Sequence, residues 1–553
     1  MYKTVDFLHT IASKITSHNV SIIKQLLLAL LSGSVLSLAF LNHDYFYYAW
    51  IGFIPLLFAI EKTTLLQSYI IGLVTGLTLS TTSAYWIVDF IALSKDYGVH
   101  SGFFLAGLFW FYSAHAIALA IVLLKWFKQY TKVHEFLLFP LILVLFSSSF
   151  PMLFPMRLGD SQVNFHSALQ ATELVGVYGL DFIIILFNIL VYRVLVSVFS
   201  SRPKPTLRST LPLIVSVSLI GLWFLYGLTS YSNWQTKIAT WDTLKVGLVQ
   251  VNEVPKLGDR VQFPGYSQAY PPEMEMTERL STAGAEIIIW PEAQRKKYLD
   301  DHTVNQAYQK RMKALSNHLI FQDFQNIRDP ISGDIIKQYN TAIMINEDGE
   351  QVSTYQKMKR IPFGEYIPIL EKDSSLSKWA EGLFGDFTSG LSKGTKHSAF
   401  NHPKVNIIPL ICYETTLPSF VAGAVNKTST QRDLNIGTLL VGLSNDGWFG
   451  STHLPYQHIM PSVLRAIENR LPLVHVANNG PSIVVTPDGN VIFISGFQQA
   501  AGYVVDVPYS STAQGSFYSR HPTLFNHSIH ILFLFIAGFS LKQWRGTFNR
   551  IRM

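Results

Sequence analysis

A single cysteine, Cys412, occurs in the 553 residues, and it follows an apolar run, Val405-Asn406-Ile407-Ile408-Pro409-Leu410-Ile411, that reads as a buried strand. A thiol is the best nucleophile among side chains, but only as its thiolate, so it needs a base or a cation nearby. Two other segments offer them. Ile287-Ile288-Ile289-Trp290-Pro291 ends in Glu292, a carboxylate suited to accept the thiol proton and hand it to a leaving group. Tyr355-Gln356-Lys357-Met358-Lys359-Arg360 supplies ammonium groups; Lys357 would lower the thiol pKa and stabilise a tetrahedral oxyanion. No histidine adjoins Cys412 in sequence, so a Cys-His pair is not legible locally. The plainer reading of Cys412 is a small buried hydrophobe. One cysteine also excludes an intrachain disulfide and a Cys-based zinc site.

These residues need a scaffold, and the segment from Leu244 onward has the texture of one. Short apolar strands are expected at Leu244–Val251, Glu286–Trp290, Ala342–Asn346, Asn406–Ile411, Gly437–Ser444, Leu473–Ala477, Ser482–Thr486 and Gly502–Val507. Helical patterns at Pro272–Ala283, Val304–Ser316 and His458–Asn469 fall between several of them. Such alternation predicts an α/β layered domain, whose functional residues collect at the carboxyl ends of strands. Glu292, Cys412 and the Ser444-Asn445-Asp446-Gly447-Trp448-Phe449-Gly450 segment all stand at such ends.

The remainder of the chain cannot be an ordinary soluble protein. Charged residues are 14% of the whole and hydrophobic ones 49%, with a mean hydropathy of +0.25, against about 25% charged in a typical soluble domain. Spans long enough to cross a bilayer, roughly 17 to 25 apolar residues, are expected at 22–40, 46–60, 66–93, 102–126, 134–150, 176–199, 210–230 and 523–541. The first is read as an anchor rather than a cleaved signal, because further spans follow at once. The domains are therefore expected as a membrane bundle of seven transmembrane helices (1–242), an α/β domain (243–510), and a final transmembrane helix with its tail (511–553).

Charge fixes an expected orientation. The pI of 9.1 invites a nucleic-acid reading, but residues 243–510 hold 24 Lys+Arg against 26 Asp+Glu, and the apolar flanks carry 19 against 10. The excess positive charge sits beside membrane spans, so no nucleic-acid partner is expected. With the N-terminus cytoplasmic, Lys3, Lys14, Lys24, Lys62, Lys125, Lys128, Lys132, Arg202, Lys204, Arg208, Lys542, Arg545, Arg550 and Arg552 face the cytoplasm, and only Lys95 and Arg157 lie in the short opposite loops. Both termini are then cytoplasmic and the α/β domain is on the far side, in a bacterium the periplasm. Intramembrane charge is sparse, Asp89 and Asp181 lying near span ends, which weakens a transporter reading.

The ordered set Trp290-Pro291-Glu292, Tyr355-x-Lys357 leading into Pro362-Phe363-Gly364-Glu365-Tyr366-x-Pro368, Ile411-Cys412-Tyr413-Glu414 and Ser444-Asn445-Asp446-x-Trp448-Phe449-Gly450 resembles the nitrilase superfamily and, within it, the apolipoprotein N-acyltransferases. Gln457-His458, Arg465-Ala466-Ile467-Glu468-Asn469-Arg470 and Asn478-Asn479-Gly480 agree with it, and the resemblance covers the whole chain. It implies a multi-pass α-helical membrane protein carrying a nitrilase-like αββα sandwich. By position it makes Glu292 the general base, Lys357 rather than Lys359 the oxyanion-stabilising cation, and Cys412 the nucleophile. Glu365 then resembles a carboxylate that orients Lys357, its alternative being a loop-stabilising acceptor. Tyr413 and Glu414 resemble residues lining the site, with the Tyr413 N–H as a second oxyanion donor. Trp448, Phe449 and Pro455 are either an apolar lip or a packed turn.

What the resemblance implies is acyl transfer in two steps, from a membrane phospholipid to Cys412 and then to the N-terminal diacylglyceryl-cysteine of an apolipoprotein, at the bacterial inner membrane and without metal or organic cofactor. An apolar groove from Cys412 to the bilayer is expected. The chain departs from the family pattern at Gln294-Arg295-Lys296-Lys297, at His475 and in Gln250–Arg260. Three rivals stay open: a membrane-tethered amidase using the same residues, an acyltransferase for another lipid-linked amine, and a non-catalytic binding or transport protein.

Overall fold

The computed structural model describes residues 2–95, 98–199, 207–254, 264–293, 295–362, 364–366 and 390–552. Arg202, Lys204, Gln294, Phe363, Pro368 and the stretch 255–263 lie outside the described residues.

Twelve strands lie among the described residues: β1 Asp242–Gln250, β2 Ile287–Ile289, β3 His318–Arg328, β4 Ile335–Ile345, β5 Gln351–Gln356, β6 Phe400–Asn401, β7 Val405–Ile411, β8 Gly437–Ser444, β9 Leu473–Ala477, β10 Ile483–Val485, β11 Val491–Ile494 and β12 Ala501–Tyr509. They form two sheets of six, ordered β12-β1-β2-β3-β4-β5 and β11-β10-β9-β8-β7-β6. Each sheet has three parallel strands at its centre, β1-β2-β3 in one and β7-β8-β9 in the other, flanked by antiparallel neighbours. Two-residue periodicity assigns the faces. Leu244, Val246, Leu248, Ile287, Ile289 and Ile320 meet Val405, Ile407, Leu439, Val441, Val474 and Val476 in one core between the sheets.

The alternate residues face outward and are covered. Val249, Ile288, Leu319 and Ile343 pack under the helices Pro272–Thr282 and His302–Leu315. The second helix starts where the Asp301 carboxylate caps the Thr303 and Val304 N–H groups, and it ends at Ser316 in a left-handed conformation. On the other sheet Ile408, Leu410, Leu440 and Ile483 pack under Pro418–Lys427 and Pro461–Asn469, in a core that runs on without a break into the membrane bundle. The expected αββα sandwich is thus present, and one of its helical layers is shared with the bundle. The strands β3, β5, β6 and β11 had no counterpart in the sequence reading; β3 and β5 carry polar residues along much of their length, and β6 and β11 are short edge strands.

Among the described residues six helices are long and apolar enough to cross a membrane: Ile22–Leu41, Leu65–Ser83, Gly98–Tyr130, Val177–Val198, Thr210–Ile238 and Leu524–Arg545. Their outward faces carry Phe103, Phe104, Leu108, Leu222, Leu225, Leu534 and Phe535, each more than half exposed, a surface suited to lipid rather than water. The other spans take different forms. Residues 134–150 form the 15-residue helix Glu135–Ser149 with Pro140 inside it. Residues 46–60 divide into a 3-10 helix, His43–Trp50, and a six-residue helix, Ile54–Ala59. The 66–93 span breaks at Ala84–Trp86 into Leu65–Ser83 and Ile87–Lys95. Asp181 is buried as a brace, accepting from the Gly159 N–H at 2.7 Å and the Ser147 hydroxyl at 3.2 Å.

Buried polar contacts fasten the sandwich to the bundle. Arg470, with a left-handed backbone that ends its helix, donates to Glu173 at 2.6 and 2.7 Å, to Gln170 Oε1 and the Pro487 carbonyl at 2.8 Å, and to Ser230 Oγ at 3.0 Å, and it lies over the Trp234 ring. Arg470→Met leaves Glu173 buried without its cation, a loss of about 3–5 kcal/mol. A clear fall in the detergent-solubilised melting temperature is expected. Lysine at 470 should restore little of it, since only the planar guanidinium reaches these partners together.

Candidate active site

Glu292, Lys357 and Cys412 come together at the carboxyl ends of three strands, two from one sheet and one from the other. β2 is followed by Trp290, whose ring is fully buried among Tyr308 and Phe321 and whose Nε1 donates to Thr277 Oγ1 at 2.8 Å. With Pro291 next, the turn that carries Glu292 has little freedom. Lys357 follows β5, its N–H bonded to the Asn340 carbonyl at 2.8 Å. Cys412 follows β7 and opens a 3-10 turn, Cys412–Thr416, with φ of +51°. A left-handed cysteine is strained, and such strain persists only where its surroundings hold it.

The three are coupled. Lys357 Nζ lies 2.7 Å from Glu365 Oε1 and 3.9 Å from Glu292 Oε1. Asn340 Nδ2 donates to Glu292 Oε1 at 2.5 Å, and the Glu292 carboxyl and the Cys412 thiol act on each other electrostatically. Burial pushes the Glu292 carboxyl up, with Lys357 opposing and Glu365 reinforcing. Burial also pushes the Cys412 thiol well above its ordinary range, the Glu292 charge adding to it and Lys357 opposing. Burial alone would lower Lys357, but the charges of Glu365, Glu292 and Cys412 outweigh it, so the ammonium is held. The resting site therefore keeps a protonated thiol beside a carboxyl of raised pKa and a fixed cation. That arrangement suits proton transfer concerted with nucleophilic attack, and Lys357 can stabilise an oxyanion. Alkylation of Cys412 by iodoacetamide should accordingly be slow at pH 7 and climb steeply above the usual thiol range, a profile read by intact mass against pH.

The supporting residues divide. Glu365 orients Lys357 and also accepts from the Ile361 N–H at 2.8 Å, so it serves the cation and its own loop together. Glu414 lies behind the site: it accepts from Tyr355 OH at 2.8 Å and from the N–H groups of Met358 at 2.7 Å, Lys359 at 2.9 Å and Ile411 at 2.9 Å. It ties the lysine segment to the end of β7 instead of lining the cavity. Burial pushes its carboxyl up to about 7 against those donors. Lys359 is exposed, its Nζ 5.9 Å from the centre of the Phe420 ring.

Cys412 and Tyr413 open on a cleft whose other walls include Phe40, Trp86, Phe109 and Phe154 of the bundle. Tyr413 OH donates to the Leu153 carbonyl at 3.0 Å. Phe449 stacks on Phe90 at 5.0 Å and meets Trp86 edge-on at 5.6 Å, with Trp448 and Leu454 packed beside it. The Trp448-Phe449 segment is thus both a packed turn against the bundle and, through Phe449, part of the apolar wall.

Two residues were not singled out as site residues from sequence. Asn340 holds Glu292 and Lys357 in relation to each other, and its only signal was a polar residue at the start of the apolar half of β4. His458 bonds Asp446 through Nδ1 at 2.6 Å and reaches the Cys412 backbone. Two residues of the departures have structural roles: Lys296 is buried against Glu273 at 3.0 Å, and His475 bridges Ser462 and Ser444, each at 2.9 Å. Burial lowers His475 to about 3, so it is a neutral core residue. Gly480 passes so close to the Asp446 carboxylate that any Cβ there would collide with it.

Two family models match the chain, the apolipoprotein N-acyltransferase N-terminal domain over residues 32–190 and carbon-nitrogen hydrolase over residues 261–514. Among curated proteins it is similar to apolipoprotein N-acyltransferase of Geobacter metallireducens, 27% identical over 90% of this chain and 92% of that one. The Rickettsia typhi protein of the same name is 30% identical over 59% of each, and that of Chlorobaculum tepidum 26% identical over 67% of this chain and 69% of its own. An amidase from Nesterenkonia sp. aligns at 17% identity over 48% of this chain and 90% of its own, with a TM-score of 0.34. A membrane bundle matched by the first model and a Glu-Lys-Cys sandwich within the second, joined in one chain, place this protein in the apolipoprotein N-acyltransferase family.

Proposed function

We propose that the protein transfers a fatty acyl chain from a membrane phospholipid to the α-amine of a diacylglyceryl-modified N-terminal cysteine through a Cys412 thioester. The observation that carries the reading is the shared wall: the nucleophile opens on a cleft lined by aromatic residues of the membrane bundle. A lipid acyl chain can then reach the thiol without entering water, which would cost about 0.8 kcal/mol per CH₂.

In the first step Glu292 takes the Cys412 proton as sulfur attacks the ester carbonyl. The oxyanion is held by Lys357 Nζ and the Tyr413 N–H. Collapse expels the alkoxide, which takes the proton from Glu292 and leaves as a lysophospholipid. In the second step the amine attacks the thioester carbonyl and gives a proton to Glu292, which passes it to the departing Cys412 sulfur. An amide forms and the thiol is regenerated. Glu365, Tyr413, Glu414 and Trp448 support these steps by orienting the cation, closing the wall and fixing the turns. Exclusion of water from the cleft protects the thioester. The positive charge beside the spans supports a bacterial inner-membrane orientation with cytoplasmic termini and a periplasmic sandwich.

The test is intact mass spectrometry after mixing purified protein with phospholipid. A fatty-acyl increment on wild type, absent from Cys412→Ala and discharged by a diacylated lipopeptide, is expected. Discharge by water alone would assign an amidase, and no increment on wild type would remove the acyl-enzyme.

A further inference from the structure

The short helix Leu454–Ile459 carries two adjacent side chains that reach in opposite directions. Gln457 faces the bundle. Its Oε1 accepts from Trp86 Nε1 at 3.1 Å, and its Nε2 donates to the carbonyls of Phe40 at 3.0 Å and Ser83 at 3.2 Å. These three partners sit where membrane helices stop: Phe40 at the end of Ile22–Leu41, Ser83 closing Leu65–Ser83, and Trp86 in the break before Ile87–Lys95.

His458 faces the nucleophile. Nδ1 is 2.6 Å from Asp446 Oδ1, which turns the ring toward the Cys412 backbone, whose carbonyl accepts from the Thr415 hydroxyl at 2.9 Å. With Nδ1–H directed at the Asp446 carboxylate, Nε2–H is the donor left for Cys412. The other titratable neighbours are Glu292, whose charge is felt at the ring, and the neutral His475, 5.6 Å away centre to centre. Both His458 and Gln457 also line the cleft.

We propose that Gln457 and His458 form a positioning pair that suspends the left-handed turn at Cys412 from the ends of the membrane helices, so that packing of the bundle sets the direction of the thiol. The pair accounts for how a strained cysteine is held: the Asp446–His458 bond sets the ring beside its backbone, and the Gln457 bonds grip the helix that carries His458. It assigns a purpose to the break in the 66–93 span, where the Trp86 indole N–H meets Gln457.

The proposal rests on the acyl-enzyme reading for one of its readouts and is independent of it for the other. Single-turnover thioester formation and iodoacetamide alkylation of Cys412 would be followed by intact mass for wild type, Trp86→Phe, Gln457→Leu, His458→Phe and His458→Gln. Rate constants are compared, so any misfolded fraction lowers amplitude and not rate. Trp86→Phe and Gln457→Leu should each slow both reactions about fivefold, and His458→Phe by tenfold or more. His458→Gln keeps a donor toward Cys412 and should recover part of the loss. The double variant Trp86→Phe/His458→Phe should be no slower than His458→Phe alone. His458→Phe reacting at the wild-type rate, or a double variant whose loss is the product of the single losses, overturns the proposal. An unacylated wild type sinks the reading of function instead, and the alkylation series still decides the positioning pair.

Discussion

Glu292→Gln is expected to lower the single-turnover rate of acyl-enzyme formation by about 10³-fold, within the range that a positioned general base supplies. The substitution keeps an oxygen that Asn340 Nδ2 can bond, so the loss reports the missing proton acceptor and not a collapsed turn. The pH dependence has a definite sign. Glu292 acts as a base only when ionised, and its pKa is raised by burial. The wild-type rate should therefore rise with pH through a limb lying above the ordinary carboxylate range, tenfold per pH unit below it. In Glu292→Gln that limb should vanish, leaving only the slow rise that follows ionisation of the Cys412 thiol. A variant retaining both the wild-type rate and the wild-type limb would remove Glu292 from the base role.

Lys357→Met should be comparably damaging for a different reason. Losing one preorganised oxyanion donor costs about 10²–10³ in rate, and here the same group also opposes the burial that raises the thiol and the Glu292 carboxyl. Alkylation of Cys412 in the variant should move to still higher pH. Stability falls too, by about 3–5 kcal/mol, because Glu292 and Glu365 lose their shared buried cation. The sign with pH follows from linkage: without Lys357 the folded-state pKa of Glu292 rises further above its unfolded value. That contribution to stability is present at low pH and lost as pH rises. The melting-temperature deficit should thus be largest near neutrality and shrink on acidification, whereas Lys359→Met, at an exposed position, should leave the melting temperature close to wild type at every pH.

The two substitutions also separate the amidase from the acyltransferase reading only in combination with the acceptor. Both readings need the base and the cation for thioester formation. They differ in what discharges it, and that is decided by the cleft and by the lipopeptide experiment, not by Glu292 or Lys357.

Much of this was legible from residue order because it depends on local pattern. Apolar runs of about twenty residues need a bilayer whatever their neighbours do. Alternation of buried strands with helices announced an α/β layered domain, while the sandwich was implied by the resemblance, and Glu292 and Cys412 stand directly after strands because the ends of sheets are where polar side chains can converge. The choice of Lys357 over Lys359 came from the resemblance to the family, by position, and in the structure Lys357 Nζ lies 2.7 Å from Glu365 Oε1. Tertiary structure alone decided the rest. Whether an apolar stretch is one helix or two is set by packing, as the break at Ala84–Trp86 illustrates. Glu414 reads as a site-lining carboxylate until four donors, three from the distant 355–359 segment and one from Ile411, are found to occupy it. Trp86 and Gln457 are 371 positions apart, and Tyr413 and Leu153 are 260 apart. Hydropathy and periodicity act over a turn or a strand, whereas a hydrogen bond across the molecule depends on how every intervening element packs, so the joining of nucleophile to membrane bundle exists only in the folded chain.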